Sequence, residues 1–314
     1  MTNHLGRFPV TNRTMGIGIM MPTSDEGAFH GRTPRFSELV EIAQTAESLG
    51  FDSLWVPDHF VYRYPGVDTI FGVWEAWTLL AGLAARTSRI TLSMFVTGLV
   101  FRNPGVVAKS AEMLDEISGG RFILGLGAGS RRPDFDMLGL PFDHRASKSD
   151  EAIRIISALL RDGHADVQGR FFQANDAWNL PRGPRAGEGG PPILIGTRGP
   201  RMLRLTAQYA DAWNGDWHRS ADTVAPLLAE VVAACRDVGR DPATLIRTVG
   251  SNFALPGSHD ARPNPVTGSI AEMAETIVGF RNLGLRHYIA GLDPCTPASL
   301  EWFARVLELV DQSE

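Results

Sequence analysis

Ser48-Leu-Gly-Phe-Asp-Ser-Leu-Trp55 closes an amphipathic run with Leu-Gly, passes through a short polar turn and opens an apolar stretch that stops at Pro57. The same pattern returns near the other end of the chain, at Asn282-Leu-Gly-Leu-Arg-His-Tyr-Ile289. Upstream of the first copy, Leu39, Ile42, Ala43, Ala46 and Leu49 recur at helical spacing, and glycine just past the last of them is a natural helix stop. The stretch that follows is apolar without alternation, as a strand buried on both faces must be. The unit is therefore helix, stop, buried strand.

Working outward from it, strands are predicted at Gly16–Pro22, Asp52–Pro57, Ile90–Val96, Arg121–Leu126, Pro192–Ile195, Ala212–Asn214, Ile246–Gly250 and His287–Ala290. Helices are predicted over 34–49, 73–86, 105–117, 146–161, from Pro200, then over 222–237, 270–282 and 298–311. Eight strand–helix pairs point to a closed (β/α)8 TIM barrel, an α/β fold, because an open doubly wound sheet carries about five or six strands. The whole of 1–314 reads as one barrel domain, with an irregular leader at 1–14 and insertion loops at 163–190 and 256–268 expected at the C-terminal face. A chain of 314 residues is long for one domain, yet barrels of this class routinely reach that size.

Composition narrows the function. Hydrophobic residues make up 44% and charged residues 21%, which excludes a disordered or fibrous chain. The net charge of -5 comes with no basic stripe, so neither nucleic acid nor an anionic membrane is an expected partner. Cys235 and Cys295 lack metal-ligand spacing and read as free thiols in a reducing compartment. No metal site is expected. The first eight residues hold no apolar run of signal length, and nowhere do about 18 apolar residues run together. The expectation is a cytoplasmic chain.

Barrels collect their chemistry at the C-terminal ends of their strands. Four clusters fall there. Val56-Pro-Asp58-His59-Phe60 puts a histidine at a strand mouth, where it can exchange protons near neutral pH or simply bond loop backbone. Asp58 beside it can stabilise the imidazolium or cap the next segment. In Val96-Thr97-Gly98 through Asn103-Pro104, Asn103 suits a helix N-cap, while Thr97 and Asn103 also offer hydrogen bonds to a planar ring. Gly125-Leu-Gly127-Ala-Gly129-Ser130 is not a dinucleotide fingerprint; its glycines either admit a ligand to the mouth or relieve crowding inside the barrel. Ile195-Gly196-Thr197-Arg198-Gly199-Pro200 turns a strand directly into a helix, a place for a phosphate with Arg198 adding charge, or an ordinary tight turn. Trp55, Trp74, Trp77, Trp213 and Trp217 fall near strand ends, as core filling or as walls for a flat cofactor, while His144, His164, His218 and His259 read as surface histidines.

Together these segments resemble the luciferase-like monooxygenase superfamily, including its coenzyme F420-dependent oxidoreductase branch. The likeness runs from Met15 to Leu309 and is carried by Leu39–Gly50 with Trp55-Val-Pro-Asp58-His59, Ala84–Ile90, Arg102-Asn-Pro104 through Leu114–Arg121, Gly125–Gly129, Gly139–Phe142 and Ile193–Trp213. The resemblance implies a luciferase-like barrel that binds FMN or the deazaflavin F420 at its mouth, as a cytoplasmic homodimer acting on a small-molecule substrate. It implies His59 as acid/base, Thr97 and Asn103 beside the cofactor ring, and Gly196, Thr197, Arg198 and Gly199 near its phosphate. It also implies a non-proline cis peptide at Met94–Phe95, and so adds Met94 and Phe95, with Gly127, Gly129 and Ser130, to the cofactor contacts. Two positions depart from the pattern: Ser130 stands where sugar-phosphate dehydrogenases carry glutamate, and Asp134 where many relatives do.

The leading expectation is hydride transfer between F420 and a small organic substrate, with His59 and Asp58 catalytic. The alternatives are an FMN-dependent monooxygenase and a non-catalytic flavin-binding protein. A barrel aldolase or isomerase is disfavoured, because Lys109 and Lys148 both lie on predicted helices. Substrate choice is expected from the loops at 60–72, 131–145, 163–190 and 256–268.

Overall fold

The computed structural model describes Phe8 and residues 11–29, 31–259 and 264–314. Most of the expected 1–14 leader, and 260–263 of the 256–268 loop, lie outside the described residues. Eight parallel strands form the barrel: β1 (Gly16–Met20), β2 (Ser53–Val56), β3 (Thr91–Met94), β4 (Phe122–Gly127), β5 (Ile193–Gly196), β6 (Ala212–Trp217), β7 (Ile246–Ala254) and β8 (His287–Asp293). Each pairs with the next in chain order, and β8 pairs with β1, Gly16 opposite His287, so the sheet closes on itself.

The helices between them are α1 (Phe36–Ser48), α2 (Ala76–Arg86), α3 (Pro104–Ser118), α4 (Arg132–Leu138), α5 (Arg145–Arg161), α6 (Pro200–Tyr209), α7 (Ala225–Asp237), α8 (Ile270–Asn282) and α9 (Pro297–Gln312). Their ends follow local chemistry. Asn103 caps α3 by accepting from the Gly105 N–H, with Pro104 in its first turn, and Ser269 with Glu272 forms a capping box on α8. Gly119 closes α3 in the left-handed conformation.

The larger core lies between strands and helices, around residues such as Ile17, Leu54, Leu92, Leu124, Ile195 and Leu292. A second cluster fills the barrel itself: Met20, Trp55, Ile123, Leu194, Ile246 and Ile289, with Phe8 at the lower end. Large inward side chains fit because small ones face them. A Cβ on Gly18 would come within 2.6 Å of the Trp55 indole nitrogen, and one on Gly250 within 2.8 Å of the Trp217 ring. Trp55 and Trp213 are core, Trp77 packs against Phe122, and Trp74 is half exposed.

Four expectations are corrected. The 60–72 and 163–190 segments are not purely irregular: short antiparallel hairpins pair Val61–Tyr62 with Phe71–Gly72, and His164–Gln168 with Gln173–Trp178. The 131–145 segment contains α4. The 163–190 segment also lies at the other end of the barrel from the one expected. It joins the end of α5 to the start of β5, and Arg185 bonds the carbonyl of Phe122, where β4 begins. Here Arg182 and Arg185 pair with Glu112 and Asp115, two buried carboxylates of α3. The cis peptide falls at Phe95–Val96, one bond past Met94–Phe95.

Candidate active site

At the C-terminal ends of the strands lies a cavity of about 510 Å³. Of the residues anticipated from sequence, Asp58, His59, Phe95, Gly127, Gly129, Ser130, Gly196 and Arg198 line it. Met94, Thr97, Asn103, Thr197 and Gly199 do not. Met94 is wholly buried, Thr97 is buried with an unpartnered hydroxyl, Asn103 is spent on its helix cap, and Gly199 precedes α6. Residues the sequence did not single out join the lining, among them Tyr62, Tyr64, Phe101, Arg131 and Asn252.

His59 stands just past β2, one quarter exposed, and its Nδ1 is 2.8 Å from Asp134 Oδ2. Asp134 is almost fully buried on α4, and its other oxygen accepts the Phe60 N–H at 2.8 Å and the Val61 N–H at 3.4 Å. Burial works to raise this carboxyl, but the hydrogen bonds from His59 and the Phe60 N–H outweigh it and hold it below its ordinary range. In the neutral ring a carboxylate on Nδ1 favours the tautomer with its proton there, so that Nε2 of this cavity-lining residue carries the free lone pair. The shorter acid therefore does reach the histidine.

Asp58 is engaged elsewhere, against expectation. Arg102 grips both its oxygens, at 2.6 and 3.0 Å, and the Gly98 N–H donates to Oδ2 at 3.1 Å. Arg102 also reaches Glu75, which caps α2. This network ties the end of β2 to the segment after β3; it is a brace, and the partner of His59 is Asp134.

The glycines at the end of β4 receive a specific reading. A Cβ on Gly125 would sit 2.0 Å from the Met94 carbonyl oxygen, and one on Gly127 would sit 2.5 Å from the Val96 side chain. These two glycines make room for the Phe95–Val96 segment crossing the mouth. Phe95 then packs edge-on to Trp55 and against Trp217, with ring centres 5.9 and 5.2 Å away. Phe95 and Trp217 give the cavity an aromatic floor.

Across the mouth, Arg198 donates to the Gly215 carbonyl at 3.3 Å, and Asp216 is 4.0 Å away. His218, expected at the surface, is instead drawn in, with Nε2 3.0 Å from the Gly215 carbonyl and Nδ1 2.8 Å from Thr223 Oγ1. Burial lowers its pKa.

One functional-looking group was missed. His287 is buried inside the barrel below the cavity, its Nε2 2.7 Å from Ser53 Oγ, which also accepts from Trp55 Nε1 at 2.6 Å. Ser53 Oγ carries one proton and two lone pairs, so beside the Trp55 bond it can either donate to the ring nitrogen or accept from it. Burial pushes the His287 pKa down to about 3. The signal was a histidine inside an otherwise apolar strand.

The model of a family described as luciferase-like monooxygenase matches residues 15–284. A phthiodiolone/phenolphthiodiolone dimycocerosates ketoreductase of Mycobacterium sp. (strain JLS) is 34% identical over 225 residues, covering 66% of this chain and 58% of the ketoreductase. This chain thus spans little more than half of that relative's length. A 5,10-methylenetetrahydromethanopterin reductase of Methanolobus tindarius is 27% identical over 268 residues, covering 84% of this chain and 74% of the reductase. Among solved structures, an F420-dependent secondary alcohol dehydrogenase in complex with an F420-acetone adduct superposes with a TM-score of 0.79 at 19% identity, covering 95% of this chain and 99% of that one. Among the described residues no helix is long and apolar enough to cross a membrane.

Proposed function

The chain belongs to the luciferase-like monooxygenase family, and from that premise we propose that this oxidoreductase moves a hydride between F420 and a small substrate that alternates between carbonyl and alcohol. The observation that carries the reading is His59, held at Nδ1 by Asp134 and lining the mouth cavity. The names of the relatives, a ketoreductase and a secondary alcohol dehydrogenase, support the substrate class.

The residues present fit a planar tricyclic cofactor. The cavity volume of about 510 Å³ is in the usual range for such ligands, Phe95 and Trp217 line its floor with aromatic rings tilted 57° to each other, and Arg198 offers a cation for an acidic tail. When bound, the deazaflavin supplies the hydride chemistry. The chain supplies the rest. His59 Nε2 takes the hydroxyl proton of an alcohol, or returns it to the oxygen of a carbonyl. Asp134 keeps the ring in the tautomer that can do so and stabilises the imidazolium that forms. Phe95 and Trp217 would support the bound cofactor from below, leaving the substrate above it on the His59 side. Of the other residues anticipated as cofactor contacts, Gly196 and Ser130 are near enough to the cavity to serve as such.

A second reading is favoured by the family's own description: a monooxygenase that uses reduced FMN in the same cavity. Fluorescence titration with F420 and with FMN separates the two. Tight F420 binding without FMN binding supports the proposal, and the reverse rejects it in favour of the second reading. His59→Ala should then keep cofactor affinity while turnover falls by roughly two to four orders of magnitude. Unchanged redox activity in that variant would remove His59 from the reaction and leave a cofactor carrier.

A further inference from the structure

Most charged side chains lining the mouth cavity are already matched: Asp58 by Arg102, Asp134 by His59, and Asp216 by Arg198 at 4.0 Å. Glu26 is engaged as well. Arg131 differs. Its guanidinium carbon lies 4.8 Å from the ring centres of both Tyr62 and Tyr64, and Nη2 donates to the Arg63 carbonyl at 3.2 Å. Nε is buried with no partner, and among the described residues no carboxylate pairs with this arginine. Among the described residues that line the cavity, Arg131 is the cation without a carboxylate partner.

Its position says what could answer it. Tyr62, against which Arg131 packs, is also against His59, with ring centres 5.1 Å apart. Arg131 is therefore on the proton-exchanging side of the cavity, whereas Arg198 follows β5 beside Asp216. With one Nη2 hydrogen spent on the Arg63 carbonyl and Nε buried, the Nη1 hydrogens and the second Nη2 hydrogen are left in the guanidinium plane for two-point contact with an oxyanion.

We propose that Arg131 is the subsite for an oxyanion on the substrate, a carboxylate or a phosphate, which it holds so that the reacting carbon lies near His59. This rests on the reading of His59 as the proton-exchanging group. Substrates are then acids with an oxidisable or reducible carbon a short distance from the charge. The rest of the substrate lies against Tyr62 and Phe101, so an aryl body is accommodated.

Calorimetric titration with benzoate, phenyl phosphate and the neutral benzyl alcohol tests this. It is run on the protein as purified and again with F420 or FMN bound, using the wild type, Arg131→Gln and Arg198→Gln. The wild type should bind one of the two anions at least about tenfold more tightly than benzyl alcohol. Which anion is preferred identifies the group. Arg131→Gln should abolish that preference and keep benzyl alcohol affinity, and Arg198→Gln should leave the preference intact. Three results overturn the proposal: no anion preference in the wild type, a preference that survives Arg131→Gln, or a lowered melting temperature in Arg131→Gln as its sole effect. Failure of the hydride-transfer reading would appear separately, as absence of F420 binding, because the anion preference is read without turnover.

Discussion

At the scale of single residues, two histidines of the same barrel are set to opposite tasks by what surrounds them. His59 has a carboxylate on one nitrogen and the cavity at the other; His287 has a serine hydroxyl and no access to water. Asp134→Asn should lower turnover about 10–100-fold with cofactor affinity unchanged, as loss of an orienting partner does elsewhere. The stability effect has a definite sign. Because Asp134 is held below its ordinary pKa, its contribution is complete above the usual carboxylate range and is lost as pH falls through the lowered value. Denaturant melts should therefore show the gap between wild type and Asp134→Asn widest near neutrality and closing below about pH 4. For His287 the unfolded chain takes up a proton near pH 6.5, while the folded one resists until about 3. Across that window the wild type should lose up to about 1.4 kcal/mol of stability per pH unit on acidification, a slope that His287→Gln should reduce. His59 was legible because a histidine just past a strand marks a barrel mouth. Its partner was not, since Asp134 is 75 residues away in sequence and arrives on a helix that periodicity did not reveal.

At the scale of elements, the strands were legible because burial on both faces leaves an unbroken apolar run, and the long helices because their stripe keeps the helical period. Short pieces escaped. The 61–62 and 71–72 hairpin and the seven-residue α4 are too brief for any period to register, yet they bring Tyr62 and Asp134 to the site. The glycines at the end of β4 showed that something must come close without saying what. The answer is the protein's own backbone at Met94 and the side chain of Val96. Gly125→Ala consequently pits a methyl group against a carbonyl oxygen that cannot rotate away. It should cost about 1–3 kcal/mol in thermal or chemical melts and displace the Phe95 floor, weakening cofactor binding with His59 intact. Unaltered cofactor affinity in a folded Gly125→Ala protein would mean that the floor can shift without consequence.

At the scale of the whole molecule, the two ends of the barrel divide the labour. The upper end carries the cavity, and the lower end is held by arginines that reach from the 179–190 stretch onto α3. Arg185→Ala strands Asp115 in the interior with its counter-charge gone and should destabilise the fold by about 3–5 kcal/mol, with cofactor affinity per folded molecule unchanged. Differential scanning calorimetry beside a binding titration reads both quantities. Which end receives the 163–190 segment was encoded in its order: a stretch running from helix to strand must emerge at the strands' beginnings. Its length alone drew attention to the wrong face. Phe8 and His287, packed edge-on with ring centres 5.7 Å apart, plug the bottom of this vessel. Two molecules stacked in the mouth cavity form a queue. Whatever settles on the Phe95–Trp217 floor must enter before the molecule that reacts above it and must wait for that molecule to leave, so steady-state kinetics will show compulsory order, first in and last out.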